Sequence, residues 1–350
     1  MADSLVANES AGISRRSLLM ALPAVLAAGR AHAQGAKPML KPRDLNHLTL
    51  SVTDPQRSLE FYQGLLGMPI QARQAATTLL RIGAGPQFLA LGAAGSAAPG
   101  INHLCITVED FSVDRVLSVL SAHGVSKAEA TGGGLSGGPL RVRVRMRGPE
   151  FGGAQEGTPE VYFGDPDGVV MQLQDARYCG GRGQAGEICD RVEPAPARGL
   201  LSVRALNHFT MFVADAKKSN AFYQALFGFP IRSYQGPAAP TLAIGQVGFL
   251  MYAGAAAAGR PASINHVCLT VEDFNVDRIT KALESFGITP RGSSAPGPLQ
   301  WYVSMRRENR GGAKEGTPEL YFTDPDGIPI QLQDPTYCGG GGYLGNRCGQ

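Results

Sequence analysis

The chain has 350 residues, of which 32 are basic and 29 acidic, giving a net charge of +3. This near balance argues against nucleic acid or an anionic membrane surface as a partner. At about 150 residues per domain, the length allows two domains.

Residues 1–33 predict an export signal. The motif Ser14-Arg15-Arg16-Ser17-Leu18-Leu19 precedes a short apolar run at 18–28, and Ala31-His32-Ala33 then supplies the small residues of a cleavage site. The pattern resembles the twin-arginine export signal, with an ordinary secretory signal as the alternative. The apolar run is shorter than the about 20 residues that span a membrane, so no membrane insertion is expected. We expect a periplasmic or secreted protein that begins near Gln34.

The next elements form a strand, a helix and short strands. A strand is predicted at 45–52 from its aliphatic and β-branched residues, and it carries the pair Asn46-His47. Asp54-Pro55 then predicts a helix start. Short strands follow at 77–82 and 87–91. The pattern restarts at 101–108 with Asn102-His103, followed by a helix and strands at 141–147, 159–163 and 169–174.

Strand 141–147 carries four arginines at alternate positions. Because alternate residues share one face of a strand, the four side chains lie on the same face. This face is either exposed to solvent or a stripe that binds anions. The first half has Arg141, Arg143, Arg145 and Arg147 there, and the second half has Gln300, Tyr302, Ser304 and Arg306 at the matching positions.

The whole pattern occurs twice. His47 and His208 are 161 residues apart, His103 and His266 are 163 apart, and each histidine follows an asparagine. The spacing indicates a duplicated domain, at 43–190 and 204–350, joined by a linker at 191–203. Four of the six histidines occupy these repeated positions. We therefore predict a paired-histidine site in each half, with packing of core histidines as the alternative.

The cysteines near the end of each half form two matching pairs. Cys179 and Cys189 enclose a glycine-rich loop, and Cys338 and Cys348 enclose its copy. In an oxidising compartment such pairs predict disulfides, each stabilising its domain by about 3 kcal/mol. A metal site is the alternative, although no further cysteine or histidine lies near them in the sequence.

The repeated modules resemble the vicinal oxygen chelate superfamily, which includes glyoxalase I, bleomycin-resistance proteins and extradiol dioxygenases. The resemblance implies an α+β fold of four βαβββ modules, paired into two cups. It also implies a divalent metal in each cup, Fe²⁺ or Mn²⁺, and a small-molecule ligand. The implied metal ligands are His47, His103 and Gln172 in the first half, and His208, His266 and Gln331 in the second.

The closest local match is to the extradiol dioxygenase motif, in which a tyrosine precedes Asp-Pro-x-Gly. Tyr162 and Tyr321 take the tyrosine position, and they would orient the substrate. Gln172 and Gln331 stand where that motif has a glutamate ligand. An amide in place of a carboxylate changes the charge of the site from +1 to +2 and weakens its hold on a hard ion.

The acid/base histidine of the motif is also replaced, by Gln155 in one half and Lys314 in the other. Lys314 would serve as a base if desolvated. Glu160 and Glu319 share a strand face with the tyrosines, and each is a candidate third ligand or general base. Glyoxalase I places a further glutamate on the strand that here reads Phe88-Leu89-Ala90-Leu91, which argues against that reaction.

Two functional classes remain. The first is a metal-dependent enzyme acting on a small phenolic or enolic molecule, dioxygenase-like or, less closely, a glyoxalase-like lyase or isomerase. The second is a non-catalytic protein that sequesters a small molecule, as bleomycin-resistance proteins do. The paired histidines favour the enzyme, and the missing carboxylate and acid/base histidine favour the binding protein.

Overall fold

The computed structural model describes residues 37–348 apart from 130, 190, 246–248 and 294. The predicted export signal at 1–33 lies outside these residues. These described residues form two nine-stranded sheets and four α-helices, so the predicted α+β class is confirmed. None of the helices in the described part of the chain is long and apolar enough to cross a membrane.

The first sheet contains nine strands in the order β2-β3-β4-β1-β5-β9-β8-β7-β6. It is built from two successive modules, as predicted, and the second module adds the two-residue strand β6. The elements are β1 (Pro42–Val52), α1 (Pro55–Leu66), β2 (Ile70–Gln74), β3 (Thr77–Arg81), β4 (Phe88–Ala93), β5 (Gly100–Val108), α2 (Val113–Ala122), β6 (Ser126–Lys127), β7 (Arg141–Arg147), β8 (Thr158–Gly164) and β9 (Val170–Asp175).

The second sheet repeats this topology, in the order β11-β12-β13-β10-β14-β18-β17-β16-β15. Its elements are β10 (Val203–Val213), α3 (Ala216–Phe227), β11 (Ile231–Tyr234), β12 (Pro240–Ile244), β13 (Phe249–Ala255), β14 (Ser263–Val271), α4 (Val276–Ser285), β15 (Thr289–Pro290), β16 (Gln300–Arg306), β17 (Thr317–Thr323) and β18 (Pro329–Gln333).

Each of the four repeated asparagines is the extra residue of a β-bulge. In β1, Leu45 and His47 face successive residues of β5, so Asn46 is left over; Asn102 is left over in the same way on β5. Asn207 and Asn265 repeat this in the second sheet. The bulge lets Leu45 face the core while His47 faces the opposite side, although only one residue separates them. We call the histidine-bearing sides of the two sheets the first and second cups.

The apolar sides of both sheets share one hydrophobic core. The first helix of each half lies on its own sheet and also packs against the other half. The Phe61 ring of α1 lies 5.6 Å from Phe286 and 6.1 Å from Phe322, while Phe227 of α3 lies 6.5 Å from Phe163. The two halves therefore bury each other's helices.

Two buried hydrogen bonds reinforce this contact between the halves. The Tyr62 hydroxyl of α1 donates to the Asp324 carboxylate at 3.1 Å, and the Tyr223 hydroxyl of α3 donates to Asp165 at 3.2 Å. Both aspartates open the predicted Asp-Pro-Asp-Gly turns. Those turns thus link the two halves as well as joining adjacent strands.

Backbone also meets backbone between the halves. A Cβ on Gly83 would lie 1.9 Å from the Arg204 carbonyl oxygen, and one on Gly245 would lie 1.9 Å from the Arg43 carbonyl oxygen. Both glycines have positive φ, +57° and +66°. A side chain at either position would push the two halves apart.

Candidate functional site

The two histidines of each half meet a glutamine at the centre of the cup. In the first cup, His47 Nε2 lies 3.1 Å and His103 Nε2 lies 3.0 Å from Gln172 Oε1. In the second cup, His208 Nε2 lies 3.0 Å from Gln331 Oε1, and the His266 ring lies 5.9 Å from that of His208. In each cup the structure thus brings together the three residues that the sequence predicted as metal ligands.

Two of the asparagines at the β-bulges, Asn46 and Asn207, fix the proton of the adjacent imidazole on Nδ1, the ring nitrogen that faces away from the glutamine. Asn46 Nδ2 donates to the Tyr178 carbonyl at 3.0 Å, so its Oδ1 must face His47 Nδ1, at 2.8 Å. Since an amide oxygen only accepts, Nδ1 carries the hydrogen. Asn207 holds His208 identically, by donating to the Tyr337 carbonyl. A neutral imidazole held this way presents an unprotonated Nε2 to the cup.

The histidines are neutral at physiological pH. Burial is the main reason: it lowers the pKa of His103 and of His266 to about 4 and that of His208 to about 3. The pKa of His47 is also lowered well below its usual value, by burial and by the neighbouring His103. The glutamine oxygen of each cup opposes this effect, because it would accept a hydrogen bond from a protonated imidazole, but burial outweighs it.

This donor set fits a divalent cation. Three ligand atoms at right angles around an ion, each about 2.1 Å from it, lie about 3 Å apart, which matches the spacing in the first cup. The two imidazole nitrogens and the amide oxygen all bring lone pairs to one point. Gln172 Nε2 and Gln331 Nε2 are buried without a hydrogen-bond partner, as expected if the amides turn their oxygens to an ion. Among the described residues, histidine, cysteine and carboxylate groups alone form no such cluster.

Glu160 lies in the first cup as part of a buried ion pair that the sequence analysis missed. Arg147 Nε donates to Glu160 Oε1 at 2.7 Å, and both side chains are almost fully buried. The Tyr162 hydroxyl donates to Glu160 Oε2 at 3.0 Å. Both carboxylate oxygens are thus engaged. Arg306 and Glu319 repeat the pair at 2.8 Å in the second cup.

Tyr162 and Tyr321 flank one histidine of each pair. Their rings stand edge-on to His103 at 5.3 Å and to His266 at 5.1 Å. Burial, and then the adjacent glutamate, raises the pKa of each tyrosine well above its usual value. Both side chains therefore remain phenols that donate hydrogen bonds.

The disulfides hold a second tyrosine beneath the other histidine. Cys179 joins Cys189 and Cys338 joins Cys348, as predicted. Tyr178, directly before the first disulfide, lies 5.6 Å from the His47 ring, and Tyr337 lies 5.3 Å from His208. The repeated Tyr-Cys-Gly-Gly sequence was the available signal for these two residues.

Several other polar residues do not join the histidine pairs. Lys314 and Gln155 are exposed in the loops that precede β17 and β8, and Lys314 does not line the second cup. Cys105 and Cys268 are buried free thiols. Gln174, which shares a strand face with Gln172, donates to the Pro159 carbonyl instead of joining the histidines.

The second cup encloses a cavity of about 260 Å³. This volume lies below the range of about 300–1,000 Å³ that is typical of pockets for drug-sized ligands, so it suits a molecule with a single ring. Its walls combine the histidine pair and glutamine with aromatic and polar side chains: Thr210, Phe212, Gln235, Tyr252, Asn265, Tyr302, Ser304, Arg310, Glu319, Tyr321 and Tyr337.

Solved structures with a similar fold include extradiol dioxygenases and a glyoxalase. A variant of homoprotocatechuate 2,3-dioxygenase from Brevibacterium fuscum is 17% identical, with 86% of this chain and 74% of that chain covered and a TM-score of 0.58. The enzyme of that name from Arthrobacter globiformis is 18% identical, with coverages of 85% and 81% and a TM-score of 0.57. A Mn(II)-bound glyoxalase from Novosphingobium aromaticivorans is 15% identical, with coverages of 84% and 82% and a TM-score of 0.57.

At these identities the likeness concerns the fold alone. A comparison with curated protein sequences found no significant match. The model of the Glyoxalase/Bleomycin resistance protein/Dioxygenase superfamily matches residues 44–173 and 205–332. Each segment ends just after the glutamine of its cup, and the two cover most of the chain. The protein therefore belongs to the glyoxalase/bleomycin resistance protein/dioxygenase superfamily and contains two copies of its domain.

Proposed function

We propose that the protein is a metal-dependent enzyme that acts on a small phenolic or enolic molecule with adjacent oxygens, in the manner of an extradiol dioxygenase. Each half, 43–190 and 204–350, would form one cup that binds Fe²⁺ or Mn²⁺ through two histidines and a glutamine. The observation that carries the proposal is the convergence of the imidazole Nε2 atoms on a glutamine oxygen, with Nδ1 of His47 and of His208 held protonated by asparagine.

A divalent ion in the cup would act as a Lewis acid and lower the pKa of a hydroxyl bound to it. The amide ligand leaves the ion with its full +2 charge, which strengthens this effect. Tyr162 would orient the substrate by accepting a hydrogen bond from its hydroxyl, because the hydroxyl proton of Tyr162 itself is donated to Glu160. Because both oxygens of Glu160 already accept hydrogen bonds, we propose that it accepts a proton through Tyr162 and is not a third ligand. Glu319 would serve Tyr321 in the same way.

A binding protein that sequesters its ligand is the second candidate. One observation favours it: Gln155 and Lys314, at the acid/base position of the dioxygenase motif, are both exposed. Lys314 as a base would require its loop to move into the cup. If Glu319 serves as base, Glu319→Gln should keep the metal and lose turnover; retention of both would exclude this role.

The metal content of the full-length chain, purified without a histidine tag, tests the proposal. Wild-type protein reconstituted with Fe²⁺ or Mn²⁺ under anaerobic conditions should bind about two ions per chain, and His208→Ala/His266→Ala should bind about one. His123→Ala, which removes a histidine outside both cups, is the matched control. The loaded protein should then convert catechols in the presence of oxygen.

Failure to take up any metal would contradict the enzyme proposal. Each glutamine amide would then be reversed, with its two N–H groups donating to the two imidazoles, and the cup would bind its ligand without an ion. Metal uptake without turnover of catechols or of enolic compounds would favour the binding protein.

We also propose that the protein is exported to the periplasm or secreted. The two disulfides are compatible with an oxidising compartment. Sequencing of the mature N-terminus should find it near Gln34, and a mature chain that retains residues 1–33 would contradict the proposal.

A further inference from the structure

The arginines of β7 face the first cup. Arg143 pairs across the sheet with Tyr162 and Arg145 pairs with Glu160, both of which lie on the cup side. Cross-strand partners point to the same side of a sheet, so the arginines point there too. Arg147, deeper in the cup, is neutralised by Glu160. Of the two interpretations of this stripe, the structure favours anion binding for Arg143 and Arg145, which lie towards the surface.

The second cup lacks both of these arginines but gains two others. Tyr302 takes the place of Arg143 and Ser304 that of Arg145, as the register of β16 with β17 shows. The guanidinium of Arg291 stacks on the ring of Tyr302, which lines the cavity, at 4.2 Å, and Arg310 lines the cavity itself.

The first half has uncharged residues at the positions of these new arginines. Ala128 matches Arg291, since each follows the short strand β6 or β15 and donates its N–H to the neighbouring strand. Phe151 matches Arg310 as the last residue of the 3-10 turn after β7 or β16. Arg145 lies over the Phe151 ring at 5.4 Å. Each half thus has two arginines near its cup, but they come from different positions in the chain. We call them the mouth arginines: Arg143 and Arg145 in the first half, and Arg291 and Arg310 in the second.

No carboxylate among the described residues pairs with the mouth arginines. Within the described residues, every ion pair involves other arginines. Arg143 donates to the carbonyl oxygens of Glu129, Gly132 and Gly134, which orient the guanidinium without neutralising it. The mouth arginines of each half therefore bring two unpaired positive charges close to the cup.

We propose that each cup receives a small aromatic or enolic anion whose carboxylate is bound by the two arginines at the mouth. Guanidinium groups suit a carboxylate because their N–H donors match its two oxygens. The ligand would point its other end at the histidine pair. This inference extends the proposed function, since it takes the ligand to be the oxygen-chelating molecule of that proposal.

Binding of benzoate and of its neutral analogue benzamide tests the inference without a metal. Both would be titrated by NMR into chelator-treated full-length protein. Benzoate should bind two sites per chain, at least about tenfold more tightly than benzamide. Arg143→Gln/Arg145→Gln and Arg291→Gln/Arg310→Gln should each weaken one of the two sites about tenfold, and neither should change the affinity for benzamide.

Lys217→Gln/Lys218→Gln is the matched control, because it removes two exposed charges from α3 and none from the cups. Equal affinities for benzoate and benzamide, or an equal loss in the lysine control, would overturn the inference. The arginine variants should retain the wild-type metal content. Loss of the benzoate preference with normal metal content would contradict only the carboxylate site. Loss of metal uptake with a retained benzoate preference would contradict only the metal site.

Discussion

Acid should destabilise the metal-free protein, and the buried histidines should set the size of the effect. Burial lowers the pKa of His266 to about 4, against about 6.5 in an unfolded chain. Between these values the unfolded chain binds a proton that the folded protein does not. The contribution of His266 to stability is therefore complete above about pH 6.5 and is lost as the pH falls towards about 4. At about 1.4 kcal/mol per pH unit, the loss is about 3 kcal/mol.

Urea unfolding of chelator-treated protein at several pH values between about 4 and about 7 measures this loss. His266→Gln keeps a polar side chain but removes the titrating group. The free energy of unfolding of the variant should fall by about 3 kcal/mol less than that of the wild type over this range. Parallel curves for the two proteins would refute the reasoning, because they would give His266 an ordinary pKa in the folded state.

Three further changes probe how the fold holds the cups. Gly83→Ala should lower the melting temperature more than Gly95→Ala. Both glycines have φ near +60°, but a Cβ would meet the second half only at Gly83. Equal losses in melting temperature would contradict this close approach. Arg306→Met should cost about 3–5 kcal/mol in denaturant unfolding by leaving Glu319 buried and unpaired. Arg306→Met/Glu319→Leu should recover much of that loss, and no recovery would argue against the explanation. Tyr62→Phe should lower the free energy of unfolding, measured by calorimetry, by about 1–3 kcal/mol, because it removes a buried hydrogen bond to the Asp324 carboxylate of the other half. An unchanged stability would show that this bond contributes nothing.

The sequence predicted the modules and the three polar residues at the centre of each cup. The prediction worked because each signal was local and repeated: an apolar strand with one histidine, or a strand that reads Gln-Leu-Gln after a turn. The alternation of strand residues sufficed to place Gln172 and Tyr162 on the same side as the histidines.

The partners of those residues could not be predicted in the same way. Arg147 has the same alternation as Arg143 and Arg145, yet it is buried beside Glu160, because only the cross-strand register and the loop around Gly181 decide its depth. The bulge at Asn46 depends on pairing with β5, which lies 54 or more residues further along the chain. The packing of each first helix on the other half is likewise a long-range property that no local pattern encodes.

The packing of each first helix against the other half has a consequence for divergence. Two identical separate chains that packed in this way would carry every substitution twice, once in each cup. Covalent linkage removes that constraint while the shared core continues to hold both cups in one body. The arginines of the two halves already stand at different positions. A substitution in one cup therefore leaves the histidine pair of the other cup as it was.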